Sequence, residues 1–197
     1  MGRLLLIRHA ESEGNRDQVF TATPFVPLTE LGRDQARTAA RWIQGRHELH
    51  DVVSSPFTRA RETAAIVAET LRIPVAIEED LRERDYGALA GLSYATPRVG
   101  YDRERYWAWR PEGGETLEEV LVRVGAVLDR VAASAPEHDV LVVSHGAVMM
   151  AAHRHVTGAW PAVGRVVRNA GIVIVDHRAG RYAGAVEAPG DDVGPVG

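Results

Sequence analysis

Residues 4–7 read Leu-Leu-Leu-Ile, four apolar side chains in a row with no polar alternation. A strand with one wet face alternates. A run this short and apolar on both sides is a strand covered on both faces. Residues 140–143, Val-Leu-Val-Val, repeat the pattern. Both runs stop abruptly in polar residues, Arg8-His9 after the first and Ser144-His145 after the second. The chain must therefore cover a sheet with helices on both sides, and the intervening segments supply them. Thr29 reads as the N-cap of a helix over 30–43. Ser55-Pro56 reads as an N-cap followed by proline at the first helical position, opening a helix to about residue 71. Thr116 and Glu119 form a capping box before a helix to about residue 133, and 146–156 continues as a helix after the second run. Short strands are expected at 51–54 and 74–77, and two more at 170–176 and 182–187 about a turn at 178–180. Strands alternating with helices predict a three-layer α/β/α sandwich with a mostly parallel central sheet. Ligands of such sheets bind beyond the carboxyl ends of the strands. His9, Arg59 and His145, far apart in sequence, should meet on that one rim.

The 197 residues suit one domain, expected over residues 1–188, with a Gly-, Pro- and Asp-rich tail at 189–197. A net charge of −4 suggests neither a nucleic-acid nor a membrane surface as partner. An anionic small-molecule substrate would have to be attracted by local arginines. The chain has no cysteine, which excludes a thiolate nucleophile, a cysteine zinc site and disulfides, and fits a reducing cytoplasm. Its first residues are too short and too quickly charged for a signal peptide, and no apolar run reaches the roughly 18 residues of a membrane span. No phosphate-binding Gly-rich loop and no metal-ligand spacing appear, so no cofactor and no metal are expected. His153 and His155, two apart on a helix, face different ways; they and His47, His50, His138 and His177 read as structural.

Residues 6–15, Leu-Ile-Arg-His-Ala-Glu-Ser-Glu-Gly-Asn, carry the strongest chemical signal. Arginine and histidine at the end of a buried strand need polar partners, and a phosphate would supply them. Arg8 presents a planar fork of donors to phosphate oxygens. Neutral His9 keeps one ring nitrogen free to attack phosphorus, provided the other donates a hydrogen bond, most simply to a backbone carbonyl. Asn15 can add an amide donor. Phosphoryl transfer needs chiefly positioning and charge stabilisation. Arg8, Arg59 and, if protonated, His145 would supply both.

This string resembles the signature of the histidine phosphatase superfamily, also called phosphoglycerate mutase-like. The resemblance continues in order through Phe20-Thr21, residues 28–32 (Leu-Thr-Glu-Leu-Gly), 54–63 (Ser-Ser-Pro-Phe-Thr-Arg-Ala-Arg-Glu-Thr), 81–87 (Leu-Arg-Glu-Arg-Asp-Tyr-Gly) and 143–146 (Val-Ser-His-Gly). It implies a phosphoglycerate mutase-like fold and a phosphomonoester hydrolase acting through phosphohistidine without metal. His9 is then the nucleophile and Glu83 the proton donor. Arg8, Arg59 and His145 complete the phosphate site, and Asn15, Thr21 and Tyr86 join the substrate contacts. Its alternatives are a phosphoglycerate mutase, a phosphoprotein phosphatase and a non-catalytic phospho-ligand module. The sequence departs from the mutase pattern at Ala10 and Ala22, where relatives carry glycine, and at Leu92-Ser-Tyr94, which lacks the mutase lysine. Residues 92–115 are also fewer than the insertion mutases carry there. Residues 98–111, rich in Arg, Tyr and Trp, should form either a lid or specificity wall, with Arg103, Arg105 and Arg110 available to a second anion, or a solvent-facing helix.

Overall fold

The computed structural model describes residues 2–21, 23–178 and 181–187. The 178–180 turn, the 189–197 tail and Ala22, on which expectations were placed, lie outside these in whole or part. Strands β1 (Gly2–Arg8), β2 (Leu49–Ser54), β3 (Val75–Ile77), β4 (Asp139–Ser144), β5 (Ile172–Arg178) and β6 (Arg181–Glu187) form one sheet in the order β3-β2-β4-β1-β5-β6. The first four in that order are mutually parallel, and β5 and β6 run antiparallel on one flank.

The uninterrupted apolar runs are explained by alternation between two cores. In β1, Leu5 and Ile7 face one core with Leu141 and Val143 of β4. Leu4 and Leu6 face the other with Val140 and Val142. After a single helical turn, α1 (Glu13–Arg16), helices α2 (Glu30–Gln44) and α3 (Thr58–Leu71) close the first core, and α4 (Leu117–Ser134) and α5 (Gly146–Thr157) close the second. This is the expected three-layer α/β/α sandwich. The caps of two helices match the sequence: Thr29 accepts from the Gly32 N–H, and Thr116 and Glu119 form the reciprocal box.

The start of α3 differs. The helix opens at Thr58 with Phe57 in the cap position, two residues beyond the expected start, and Ser55 is no cap. The Ser55 hydroxyl is engaged with His145 instead, and a tertiary partner has overridden the local capping preference. His50 and His177 lie at the ends of strands β2 and β5. Among the described residues, no helix is long and apolar enough to cross a membrane.

Candidate active site

β1 and β4 are paired in parallel register, Arg8 opposite Ser144. Their ends therefore place His9 and His145 side by side, with ring centroids 5.1 Å apart. The first turn of α3 delivers Arg59, which is 1% exposed, and its Nε donates to His9 Nε2 at 3.2 Å. His9 Nδ1 lies 2.7 Å from the Ala10 carbonyl, which can only accept, so Nδ1 carries the proton. Nε2 therefore keeps its lone pair. This is the tautomer that attack on phosphorus requires. Burial, reinforced by the Arg59 and Arg8 guanidiniums and opposed by the Ala10 bond, holds His9 well below the usual histidine range. The ring is neutral and nucleophilic.

The polar atoms around it are conspicuously short of partners. Arg8 Nη1 donates to the Val167 carbonyl at 2.8 Å, but Arg8 Nε, Arg59 Nη1 and His145 Nδ1 are buried with no hydrogen bond. Orphaned buried donors are rare in native proteins and costly. Here they come from three elements and sit about one nucleophile. Asn15 has its Oδ1 saturated by Ser12 N, Ser12 Oγ and Asn169 Nδ2, which leaves its amide nitrogen to face the cavity it lines.

Arg8, His9, Asn15, Thr21, Arg59, Glu83 and Tyr86 all line one cavity of about 430 Å³. His145 does not line it. It is wholly buried directly beside the nucleophile, its ring in edge contact with those of His9 and Phe57. Burial, then Arg59, His9 and Arg8, hold it well below the usual histidine range, so the condition under which His145 would add positive charge is disfavoured here. Tyr86 is pushed up, chiefly by burial and then by Glu83, and stays a neutral phenol.

Glu83 reaches the rim from a segment that sequence periodicity does not define. Its Oε1 accepts from its neighbour's amide, Arg84 N, and from Ala147 N in the first turn of α5. Arg123 of α4 clamps the segment by donating to the carbonyls of Asp80, Arg82 and Glu83 while pairing with Glu115 at 2.9 Å. Gly87 closes the turn with a positive φ of 49°, and a Cβ there would fall 2.0 Å from the Glu112 carbonyl oxygen. The 113–116 turn thus supports the site through Glu115, as well as capping α4.

Residues 98–111 form the far wall of the cavity as turns and bends. The helix alternative is overturned, because this stretch is anchored irregularly. The Tyr106 hydroxyl donates to the Pro161 carbonyl at 2.6 Å, Trp107 stacks on Trp160, and Trp109 Nε1 donates to the Val99 carbonyl. Arg103 and Arg105 are exposed and do not line the cavity, and Arg110 is spent on Glu119. The wall's cation is Arg98, whose guanidinium lies over Phe20 and Tyr101 at 5.5 and 5.1 Å. Arg84 adds a second cation, held by the Glu115 and Trp109 carbonyls. Sequence reasoning missed Arg84, Tyr94, Arg98 and Trp109 as lining residues and Ser55, Thr63 and Arg123 as supports. Signals were nevertheless present: Arg84 lies inside the 81–87 block, Ser55 and Thr63 inside the 54–63 block, and Arg98 and Trp109 inside the 98–111 stretch expected as a wall or helix; Thr63 acts by accepting from the Ala10 N–H at 3.1 Å.

Comparison with known proteins places this geometry. The chain is 36% identical over 149 residues to the bifunctional protein Rv2228c of Mycobacterium tuberculosis, covering 73% of this chain and 41% of that protein. It thus spans about two fifths of the mycobacterial relative's length. It is 35% identical over 158 residues to a 2,3-bisphosphoglycerate-dependent phosphoglycerate mutase of Methylobacterium, covering 73% and 74% of the two chains. The structure of the mycobacterial glucosyl-3-phosphoglycerate phosphatase Rv2419c with VO3 superposes with a TM-score of 0.81 at 26% identity, covering 91% of this chain and 95% of that one. The sequence pattern of the histidine phosphatase superfamily (branch 1) matches residues 4–186. With β1 ending in the neutral His9 and the pattern spanning both cores, the chain belongs to that superfamily.

Proposed function

We propose that the chain is a phosphomonoester hydrolase that works through a phosphohistidine at His9, without metal, on a small phosphorylated metabolite in the cytoplasm. The observation that carries this reading is the neutral His9, with a lone pair on Nε2, beside three buried donors that lack partners. A phosphoryl group satisfies all of them at once. His9 Nε2 attacks phosphorus as the bond to the leaving oxygen breaks. The Arg59 Nε–H, now on Nε2, passes to a phosphoryl oxygen, and Arg8 and Asn15 hold the others. Glu83 gives its proton to the departing alkoxide, then takes one from the water that cleaves the N–P bond. The positive charge comes from guanidiniums, which need no Lewis acid to complement a dispersed phosphoryl charge.

A mutase reading is favoured by the Methylobacterium relative. Against it stand the missing lysine near Tyr94 and the short 92–115 segment, which leaves less chain to shut water out from the phosphoenzyme. The test supplies 3-phosphoglycerate with 2,3-bisphosphoglycerate and follows 2-phosphoglycerate and free phosphate together. Phosphate release across a panel of phosphomonoesters, unaffected by EDTA, with little isomerisation is expected. Isomerisation at roughly 10 s⁻¹ or more, far outrunning phosphate release, overturns the hydrolase reading.

A further inference from the structure

His145 is the one proposed phosphate ligand that does not touch the cavity, and its protonation state decides what it can do. Its Nε2 lies 2.7 Å from Ser55 Oγ, and both residues are fully buried. Which atom owns the shared proton follows from the partners of Ser55. Oγ already accepts from the Phe57 N–H at 3.3 Å. A hydroxyl has one hydrogen to give. Among the described residues, His145 Nε2 is the one acceptor that hydrogen reaches. If His145 donated instead, the serine hydrogen would be sealed in the core without an acceptor. It would also leave a bare lone pair on Nδ1, where a phosphoryl oxygen would meet repulsion.

We infer that Ser55 is a positioning residue: its hydroxyl locks His145 in the Nδ1–H tautomer, so that a neutral imidazole donates to the phosphoryl group on His9. The ring is held in plane for this by the edge contacts with His9 and Phe57, at 5.1 and 5.3 Å. Nδ1 is buried and unpartnered, as a donor awaiting a ligand should be. The charged groups bearing on His145 are Arg59 from α3, Arg8 from β1 and Arg123 from α4, with His9 beside it. A second proton on the ring would add a cation to three guanidiniums. The same device also explains why Ser55 forgoes capping α3. The donor role of Nδ1 rests on the hydrolase reading, but the tautomer itself does not.

The test uses the full chain labelled with ¹⁵N-histidine. Long-range ¹⁵N–¹H correlation spectra of the ligand-free protein at pH 7 should show His145 singly protonated, at Nδ1. Ser55→Ala should mix the tautomers, and Ser55→Thr should restore the wild-type pattern. Turnover of p-nitrophenyl phosphate should fall about 10–100-fold in Ser55→Ala, the usual worth of an outer hydrogen-bond partner, mostly in kcat. In a His145→Ala background the same change should cost nothing further, because Ser55 acts only through that ring. Inorganic phosphate should bind correspondingly more weakly to Ser55→Ala. A wild-type His145 protonated at Nε2 or at both nitrogens overturns the proposal, as does an undiminished Ser55→Ala loss without His145. The wild-type spectrum decides the tautomer even if a variant fails to fold. If no phosphoester is turned over, the spectrum and the phosphate titration still separate this proposal from the failure of the hydrolase reading.

Discussion

The two ends of the parallel sheet use the same residue types to opposite effect. At the amino end, Arg3 pairs with Asp139 at 2.7 Å and His47 meets the same carboxylate at 3.2 Å. The rings of His50 and His138 lie tilted against each other with centroids 4.3 Å apart. At the carboxyl end, no carboxylate among the described residues pairs with Arg8 or Arg59, and His145 Nδ1 has no hydrogen-bond partner. The amino end is not wholly tidy, since His177 is buried there with neither ring nitrogen bonded. But His177 is a single neutral ring, lowered chiefly by burial, whereas the carboxyl end gathers its orphans from three elements. The difference teaches where to look for chemistry: a protein spends carboxylates on cations whose task is structural and withholds them from cations that await a ligand.

The sharpest way to break this comparison is to cut each end in turn. His9→Ala should remove turnover of p-nitrophenyl phosphate and acid-labile, base-stable phosphate on the enzyme, a loss on the order of 10⁴-fold or more. Arg3→Ala should leave kcat/KM within about twofold, because its part-buried pair with Asp139 lies at the far end of the sheet and shares no partner with the site. Near-normal turnover by His9→Ala sinks the mechanism. Glu83→Gln should slow an alkyl phosphate by about 10²–10⁴-fold and p-nitrophenyl phosphate much less, because that leaving group needs little protonation. Equal losses on both would make Glu83 a structural group.

Asp139→Ala should do the reverse of these. It strands His47 in a buried site and should cost about 1–3 kcal/mol in urea unfolding, with kcat unchanged. A drop in kcat at constant stability would show that the two ends are coupled. pH gives a subtler contrast. His9 and His145 fold neutral, with values well below the roughly 6.5 of an unfolded chain. Between the folded and unfolded values the unfolded chain binds more protons. Their contribution to stability is thus complete above about pH 6.5 and is lost as pH falls below it. Melting temperature should decline from pH 7 to pH 5, and His145→Asn should flatten that decline. The smallest effect is expected from Arg98→Ala, which should raise KM several-fold for substrates with a second acidic group and leave kcat alone. This matches about 1 kcal/mol for an exposed cation on aromatic faces. Equal KM values for single- and double-acid substrates would remove Arg98 from recognition.

How much of this was legible in the sequence depended on the range of the forces involved. β1 and β4 were readable because burial on both faces leaves an unbroken apolar run, and the Thr29 and Thr116 caps because their bonds close within four residues. Arg8, His9, Arg59 and His145 stood out because polar groups at strand and helix ends have few structural uses, whereas Glu83, in a charged stretch without periodicity, was legible only through the resemblance. The start of α3 was misread because Ser55 answers to His145, 90 positions away. The wall of Arg98, Tyr101 and Trp109 has no period to read; it is held by single tertiary bonds such as Tyr106 to Pro161.

The Arg123 clamp has a consequence for how such an enzyme changes over time. Because Arg123 grips the carbonyls of the Glu83 segment rather than its side chains, the acid's position is indifferent to what residues 80 and 82 are. The substrate wall at 98–111 is anchored elsewhere at Pro161 and Trp160, and it meets the Glu83 segment through a backbone carbonyl that any residue supplies, that of Trp109, which accepts from Arg84. Mutations can therefore accumulate in the wall while the phosphate chemistry stays fixed, and a lineage can acquire new substrates without passing through an inactive ancestor.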